Sequence, residues 1–465
     1  MNIAFNSEQC SLPIRLMGLL CLLLFPLAVF ADEELPRLGE ASLFNLEQEK
    51  KLGKQFYQEL KRLNLIEENE FLDQYINDLG ALLLSGLANR NRDYRFFIVK
   101  DSEINAFALP GGYIGVNVGL ILRSKSVHQL ASVLAHEIAH VRLMHGIQLM
   151  KRAKEVNETA MLSILAAILL GSVSGEAGSA LLYGGVAGSQ QSMVNYTRDF
   201  EYEADRLGIS LLQAAGFDPG GMVEFFETLE KESSGAGAVT IEYLRTHPVN
   251  ANRIAEIRNR IDASADINQK GNIYSRFVGY LGSRFIIDSA EPEDAFAQAL
   301  TLTGKRQYRE ADEVLVKLYN KDPEDIWVSH SYAENLRNMG HYSESVSIYR
   351  GLLRIYPRNY ALSLQLVDSL KLAGQLNLAL EFAIEIKNQF SDSPAIYARL
   401  TELYELLQDK NLQKQSEAEY HRLSGNPRRA IELYDEVLES SNIDLSTRSR
   451  IEERRDQVRN QLQPQ

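Results

Sequence analysis

The sequence predicts a mostly helical α+β domain with a small sheet, followed by an all-α solenoid, and three observations predict it. Apolar residues recur at helical intervals from Glu47 to Leu87, switch to period two around residues 94–118, and return to helical period from Ser126. From about Asp294 the chain repeats itself every 34 residues, the mark of stacked helix pairs. Composition agrees: 465 residues, 45% hydrophobic and 24% charged, supply two or three real cores, which fits neither a polytopic membrane protein nor a disordered chain. The 62 acidic and 49 basic side chains leave a net charge of −13, which argues against nucleic acid as the main partner.

The first element, residues 1–31, reads as an export signal. A polar start ends at Arg15, an apolar run from Leu16 to Phe30 is broken only by Pro26, and Val29-Phe30-Ala31 precedes Asp32, so cleavage is expected after Ala31. A retained anchor is the competing reading, but the run falls short of the roughly 20 residues a spanning helix needs. The two cysteines, Cys10 and Cys21, both lie in this segment, and residues 32–465 can enter an oxidising compartment without disulfide chemistry. Bulky Leu20 and the apolar residues after Cys21 argue against a lipid anchor there.

Residues 32–290 form the next domain. Glu47 to Leu65 and Glu68 to Leu87 place Leu and Phe three and four apart, the spacing of helices. Tyr94 to Val99 and Tyr113 to Val118 alternate as strands do, and Ala106 to Gly112 joins them through the turn signal Pro110-Gly111-Gly112. From Ser126 the residues Val127, Leu130, Val133, Leu134, Ile138 and Val141 draw an apolar stripe along one helix.

On that helix stands His136-Glu137-Ile138-Ala139-His140. Histidines at i and i+4 project from one face a turn apart, as two imidazoles sharing one zinc ion require. Glu137, beside the first ligand, can take a proton from water at such a centre. The competing reading is a solvated face that happens to carry two histidines. His128 and His145 have no such spacing to a carboxylate and read as ordinary polar positions.

A catalytic zinc site needs a third protein ligand. Glu201 and Asp205 lie four apart in the helical stretch Asp199 to Ala215, so a helix crossing the first could aim Glu201 at the metal. Asp205 would then hold the far nitrogen of a ligand histidine. Glu203, about 200° away around the helix, reads as solvent-facing. Alone, this spacing is common on acidic surfaces; the upstream histidine motif makes the ligand reading the better one.

Between them, Met161 to Leu170 is apolar apart from Ser163, and a small-residue stretch runs from Gly171 to Gly188. It is too short and too interrupted to span a bilayer. Peripheral membrane contact through 161–188, a cover over the active-site cleft and a buried helix pair all stay open.

In residues 294–465, Pro323 and Pro357, Gly340 and Gly374, and Ala311, Ser345 and Ala379 step by 34, the tetratricopeptide period. The pattern weakens at Ser391, and a further unit shows in Gly425 to Tyr434. Stacked helix pairs make a concave surface for peptides or proteins. His330, His341 and His421 lack carboxylate spacing, and Trp327 reads as helix packing.

His136 to His140, the segment Asn105 to Gly112, Arg198 to Asp205 and Thr246-His247-Pro248 together resemble metallopeptidase family 48, which includes the HtpX-type proteases, over roughly residues 40–260. The resemblance implies a zincin-like α+β fold and one Zn2+ per chain held by His136, His140 and Glu201, with Glu137 as base. It also brings His247 near the metal, either as a donor to the tetrahedral oxyanion or as a fourth ligand that closes the site; an ordinary surface histidine is the third option. Substrate backbone would add as a strand beside Asn105, Ala106, Phe107 and Ala108. Combined with the signal and the repeats, the chain resembles the periplasmic protease-chaperones of Gram-negative bacteria. That likeness implies outer-membrane β-barrel proteins, unfolded or misassembled, as clients, with the barrel-assembly machinery and a lipopolysaccharide translocon component as partners. A chaperone or assembly scaffold with rare or vestigial proteolysis is the alternative.

Overall fold

The computed structural model describes residues 46–87, 92–156, 190–234, 241–261, 271–285, 294–440, 443–460 and 462. The segment 1–31, expected to be an export signal, and the stretch 161–188 lie outside them. The chain divides into two compact units between Asp288 and Ser289.

In the first unit, helices α1 (Leu46–Arg62) and α2 (Glu70–Leu84) precede strand β1 (Arg95–Val99). The segment read as a connection is itself strand β2 (Ala106–Leu109), followed by a tight 3-10 turn and β3 (Tyr113–Asn117). Gly111 and Gly112 take φ of 76° and 87°, which reverses the chain within three residues and lets β2 lie back along β3. The sheet order is β1-β3-β2: β1 runs parallel to β3 with Arg95 opposite Tyr113, and β2 antiparallel with Ala106 opposite Val116. The residues expected to receive substrate are therefore an edge of the sheet.

Short α3 (Val118–Arg123) leads to α4 (Val127–Arg142), whose first turn is capped by Ser126 Oγ accepting from Gln129 N. The apolar stripe seen in the sequence understates its burial: every residue from Gln129 to Ala139 is buried, so α4 is a core helix carrying polar groups inward. Helix α5 (His145–Val156) follows, then α6 (Gln190–Ala214), which packs along α4 and begins earlier than Asp199. After α7 (Gly220–Ser233), α8 (Glu242–Thr246) and α9 (Ala251–Arg260) return the chain to α6, and α10 (Gly271–Phe285) packs on α2 and α3. No helix among the described residues is long and apolar enough to cross a membrane.

The second unit is an all-α solenoid of ten helices among the described residues: α11 (Ala295–Gly304), α12 (Tyr308–Lys321), α13 (Ile326–Asn338), α14 (Tyr342–Ile355), α15 (Tyr360–Leu372), α16 (Leu376–Gln389), α17 (Pro394–Leu406), α18 (Lys410–Leu423), α19 (Pro427–Leu438) and α20 (Leu445–Asn460). Ala311, Ser345 and Ala379 are fully buried where paired helices approach, as are Leu315, Tyr349 and Ala383 four positions on. Left-handed backbone ends every second helix at Arg306, Gly340, Gly374 and Gln408, with φ of 61°, 84°, 72° and 61°. The step of 34 thus continues on either side of the two glycines, with Arg and Gln in place of the residue that made it visible. Gly425, at φ 81°, falls out of that phase. Trp327 is buried in the packing, but the three histidines do meet nearby carboxylates: His330 with Glu334 at 3.8 Å, His341, at the cap of α14, with Glu344 at 3.2 Å, and His421 with Glu417 at 3.8 Å. Each contact joins residues three or four apart, one helical turn.

Candidate active site

Helix α4 presents His136 and His140, and α6 presents Glu201 from the opposite side. His140 Nε2 lies 3.0 Å from His136 Nε2; the Glu201 oxygens lie 3.3 Å and 3.4 Å from these same two nitrogens. His247, at the end of α8, completes the cluster with Nδ1 3.1 Å from Glu201 Oε1 and 3.3 Å from His136 Nε2. Ligand atoms of His136, His140, Glu201 and His247 all fall within 4.8 Å of one another. Three imidazole nitrogens and one carboxylate are a donor set of borderline softness, suited to zinc and poorly suited to calcium or magnesium. Both α4 histidines turn Nε2 inward, and both outer nitrogens are engaged elsewhere. The residues fit a bound metal ion.

Glu137 neighbours this cluster and is buried, with neither carboxylate oxygen hydrogen-bonded; His247 Nε2 lies 3.4 Å from its Oε1. Burial pushes its carboxyl up, against the pull of His247 and His136. A buried acid with open acceptor sites is costly unless something else uses them. Glu201 differs: burial favours its protonated form, but His247 and Arg253 overcome that and hold it well below the usual carboxylate range.

Asp205, one turn after Glu201, lies 3.1 Å from His136 Nδ1. Behind it stands Arg253 of α9, wholly buried, whose Nε and Nη2 each reach Asp205 at 2.8 Å while Nη1 reaches Pro248 O at 2.7 Å and Glu201 Oε2 at 3.0 Å. Arg253 is a site residue that spacing on α4 and α6 did not reveal, because its role depends on α9 crossing α6. The signal available was its place six residues after His247 on a helix that Asn250 caps.

His145 corrects the sequence reading. It is 3% exposed, its Nδ1 lies 3.0 Å from His140 Nδ1, and its Nε2 lies 3.3 Å from Glu203 Oε2. Glu203 is half exposed, as expected, yet it does have a partner inside. His128 is an ordinary polar residue whose Nδ1 accepts from the backbone of Asp218 at 3.1 Å. The backbone N–H of Tyr243, in α8, donates to Ile104 O at 3.1 Å, which ties the His247 segment to the start of the edge strand; Asn105 and Ala106 are buried, while Phe107 and Ala108 are partly open.

Residues 70–261 match peptidase family M48. A Vibrio cholerae relative named as a beta-barrel assembly-enhancing protease is 30% identical over 351 residues, 70% of this chain and 72% of that protein. The beta-barrel assembly-enhancing protease of Escherichia coli K12 is 28% identical over 456 residues, 93% of each chain. The mitochondrial metalloendopeptidase OMA1 of Bos taurus is 30% identical over 179 residues, 38% of this chain and 34% of that one.

Proposed function

The chain belongs to peptidase family M48 and is a metalloprotease, and from that premise we propose that it is a zinc endopeptidase acting in assembly and quality control of outer-membrane β-barrel proteins. The observation that carries the chemistry is the convergence of His136, His140, Glu201 and His247 beside a buried Glu137 whose oxygens have no hydrogen-bond partner.

His136, His140 and Glu201 would hold the ion. When bound, zinc supplies Lewis acidity and lowers the pKa of a water molecule towards about 7. Glu137, its oxygens unpartnered, would serve as the general base that takes up a proton on its carboxylate and returns it to the leaving amine. Asp205 and Arg253 keep His136 in the tautomer that offers Nε2 inward. The open edge of β2 takes the substrate backbone as an added strand, so recognition reads main chain more than side chains. His247 acts as a latch: its Nδ1 already sits among the three ligand side chains, and its release would open the site.

The relatives and the sequence support the reading of client and place. Relatives along most of the chain are named for β-barrel assembly, and the export signal over residues 1–31 directs the protein to the periplasm, with the solenoid over 294–465 receiving clients and the barrel-assembly machinery. Unfolded or misassembled barrels, a lipopolysaccharide translocon component among them, are the substrates. The second reading, a client-binding scaffold with rare proteolysis, draws on the solenoid being a compact unit of its own. Chelator treatment separates the two. Removing the metal should abolish degradation of casein and of an unfolded barrel, and zinc should restore it. Degradation that survives complete metal removal would sink the metal-dependent mechanism, no degradation by the metal-loaded protein would favour the scaffold, and client capture surviving metal removal fits both.

A further inference from the structure

We infer that His145 and Glu203 form a two-step clamp that fixes the tautomer and orientation of His140 as a metal ligand; the inference rests on the metal-site reading above. His140 turns Nε2 towards the cluster, 3.0 Å from His136 Nε2, and its opposite nitrogen meets an imidazole where His136 meets a carboxylate. To offer a lone pair at Nε2, neutral His140 must carry its proton on Nδ1. That N–H then donates across 3.0 Å to His145 Nδ1, which obliges His145 to carry its own proton on Nε2, and Nε2–H donates across 3.3 Å to Glu203 Oε2. An ionised carboxylate only accepts, so Glu203 at the surface selects the proton position on His145 and through it the one on His140.

The backbone is shaped to make this contact. In a continuous helix a residue five positions on points about 140° away, so His145 would face away from His140. Helix α4 instead ends at Arg142, and Met144 adopts φ 58°, a left-handed turn that residues other than glycine seldom hold. His145 opens α5 turned back onto His140. Its ring is stacked on Phe200, with centroids 4.0 Å apart and planes 12° apart, which fixes the imidazole plane. Phe200 and Glu203 are three apart on α6 and serve His145; Glu201 and Asp205 are four apart on the same helix and serve the cluster and His136. One turn and a half of α6 thus holds both ligand histidines from outside.

His145 and Glu203 are positioning residues, and the test reads the metal directly. Cobalt(II) titration followed by its visible absorption, and zinc competition against a chelator, are run on the full-length protein and on His140→Ala, His145→Ala, His145→Gln and Glu203→Ala. His140→Ala should lose tight binding; if it does not, the metal-site reading falls, whatever the other variants do. With that control in place, His145→Ala should bind zinc about 10–100-fold more weakly with a shifted cobalt band. His145→Gln, whose amide oxygen can accept from His140 Nδ1–H, should recover much of the loss. Affinity within about twofold of the parent and an unchanged band in His145→Ala would overturn the inference. Where His145→Ala does not fold, Glu203→Ala decides on a half-exposed side chain: several-fold weaker binding supports the clamp, and unchanged binding overturns it.

Discussion

Replacing Arg253 with methionine keeps much of the stem volume and removes a guanidinium that is 0% exposed. Nε and Nη2 hold Asp205 at 2.8 Å, and Nη1 holds Pro248 O at 2.7 Å and Glu201 Oε2 at 3.0 Å. Two buried carboxylates would lose their shared cation and one carbonyl its donor. Breaking a buried ion pair from one side costs about 3–5 kcal/mol, because the remaining charge stays buried. A stranded carbonyl adds to this, while proton uptake by Asp205 gives some back, so the expected loss remains about 3–5 kcal/mol. At about 2–4 °C per kcal/mol that lowers the melting temperature by roughly 6–20 °C. Lysine keeps the charge but not the fork, so Arg253→Lys should fall between. The assay is a circular-dichroism melt of the full chain in chelator, which keeps bound metal from masking the difference. Arg253→Met melting within about 2 °C of the parent would refute the view that this arginine neutralises the carboxylates behind the site.

Two further outcomes are expected. His247→Ala should raise basal casein turnover, since it removes a donor that competes for the cluster; a lowered rate would assign His247 to the transition state, and no change in rate or zinc affinity would remove both roles. Glu242, buried, with Oε1 unpartnered and Oε2 3.3 Å from Arg245, is pushed up to about 7 by burial, aided by Glu103. Its folded pKa lies above the ordinary carboxylate value, so the stability it contributes is present in acid and is lost as pH rises towards and through about 7. Glu242→Gln, a mimic of the protonated form, should therefore raise the melting temperature at pH 8 and leave it unchanged at pH 4; equal melting at pH 8 would contradict the burial argument.

What the sequence disclosed of this site followed helical geometry. His136 and His140, and Glu201 and Asp205, share faces because each pair is four apart, and the structure brings these four side chains together. His145 escaped because the rule that exposed the others places i+5 on the far side, and only the left-handed turn at Met144, a side chain with no preference for that conformation, returns it. Arg253 escaped because nothing local links it to Asp205, 48 residues earlier. In the sheet, Ala106 to Leu109 was masked as a strand by the adjacent Pro-Gly-Gly turn. The solenoid showed where glycine marked the left-handed turn at Gly340 and Gly374 and faded where Arg306 and Gln408 take the same conformation.

The most direct measurement compares metal content and casein degradation in the parent, Glu137→Gln and His140→Ala. Glu137 is assigned as the base, so Glu137→Gln should keep one zinc per chain and lose degradation by a factor of about 10²–10⁴, and His140→Ala should lose both. A Glu137→Gln protein that degrades casein at the parental rate, or that loses zinc as fully as His140→Ala, would contradict the account.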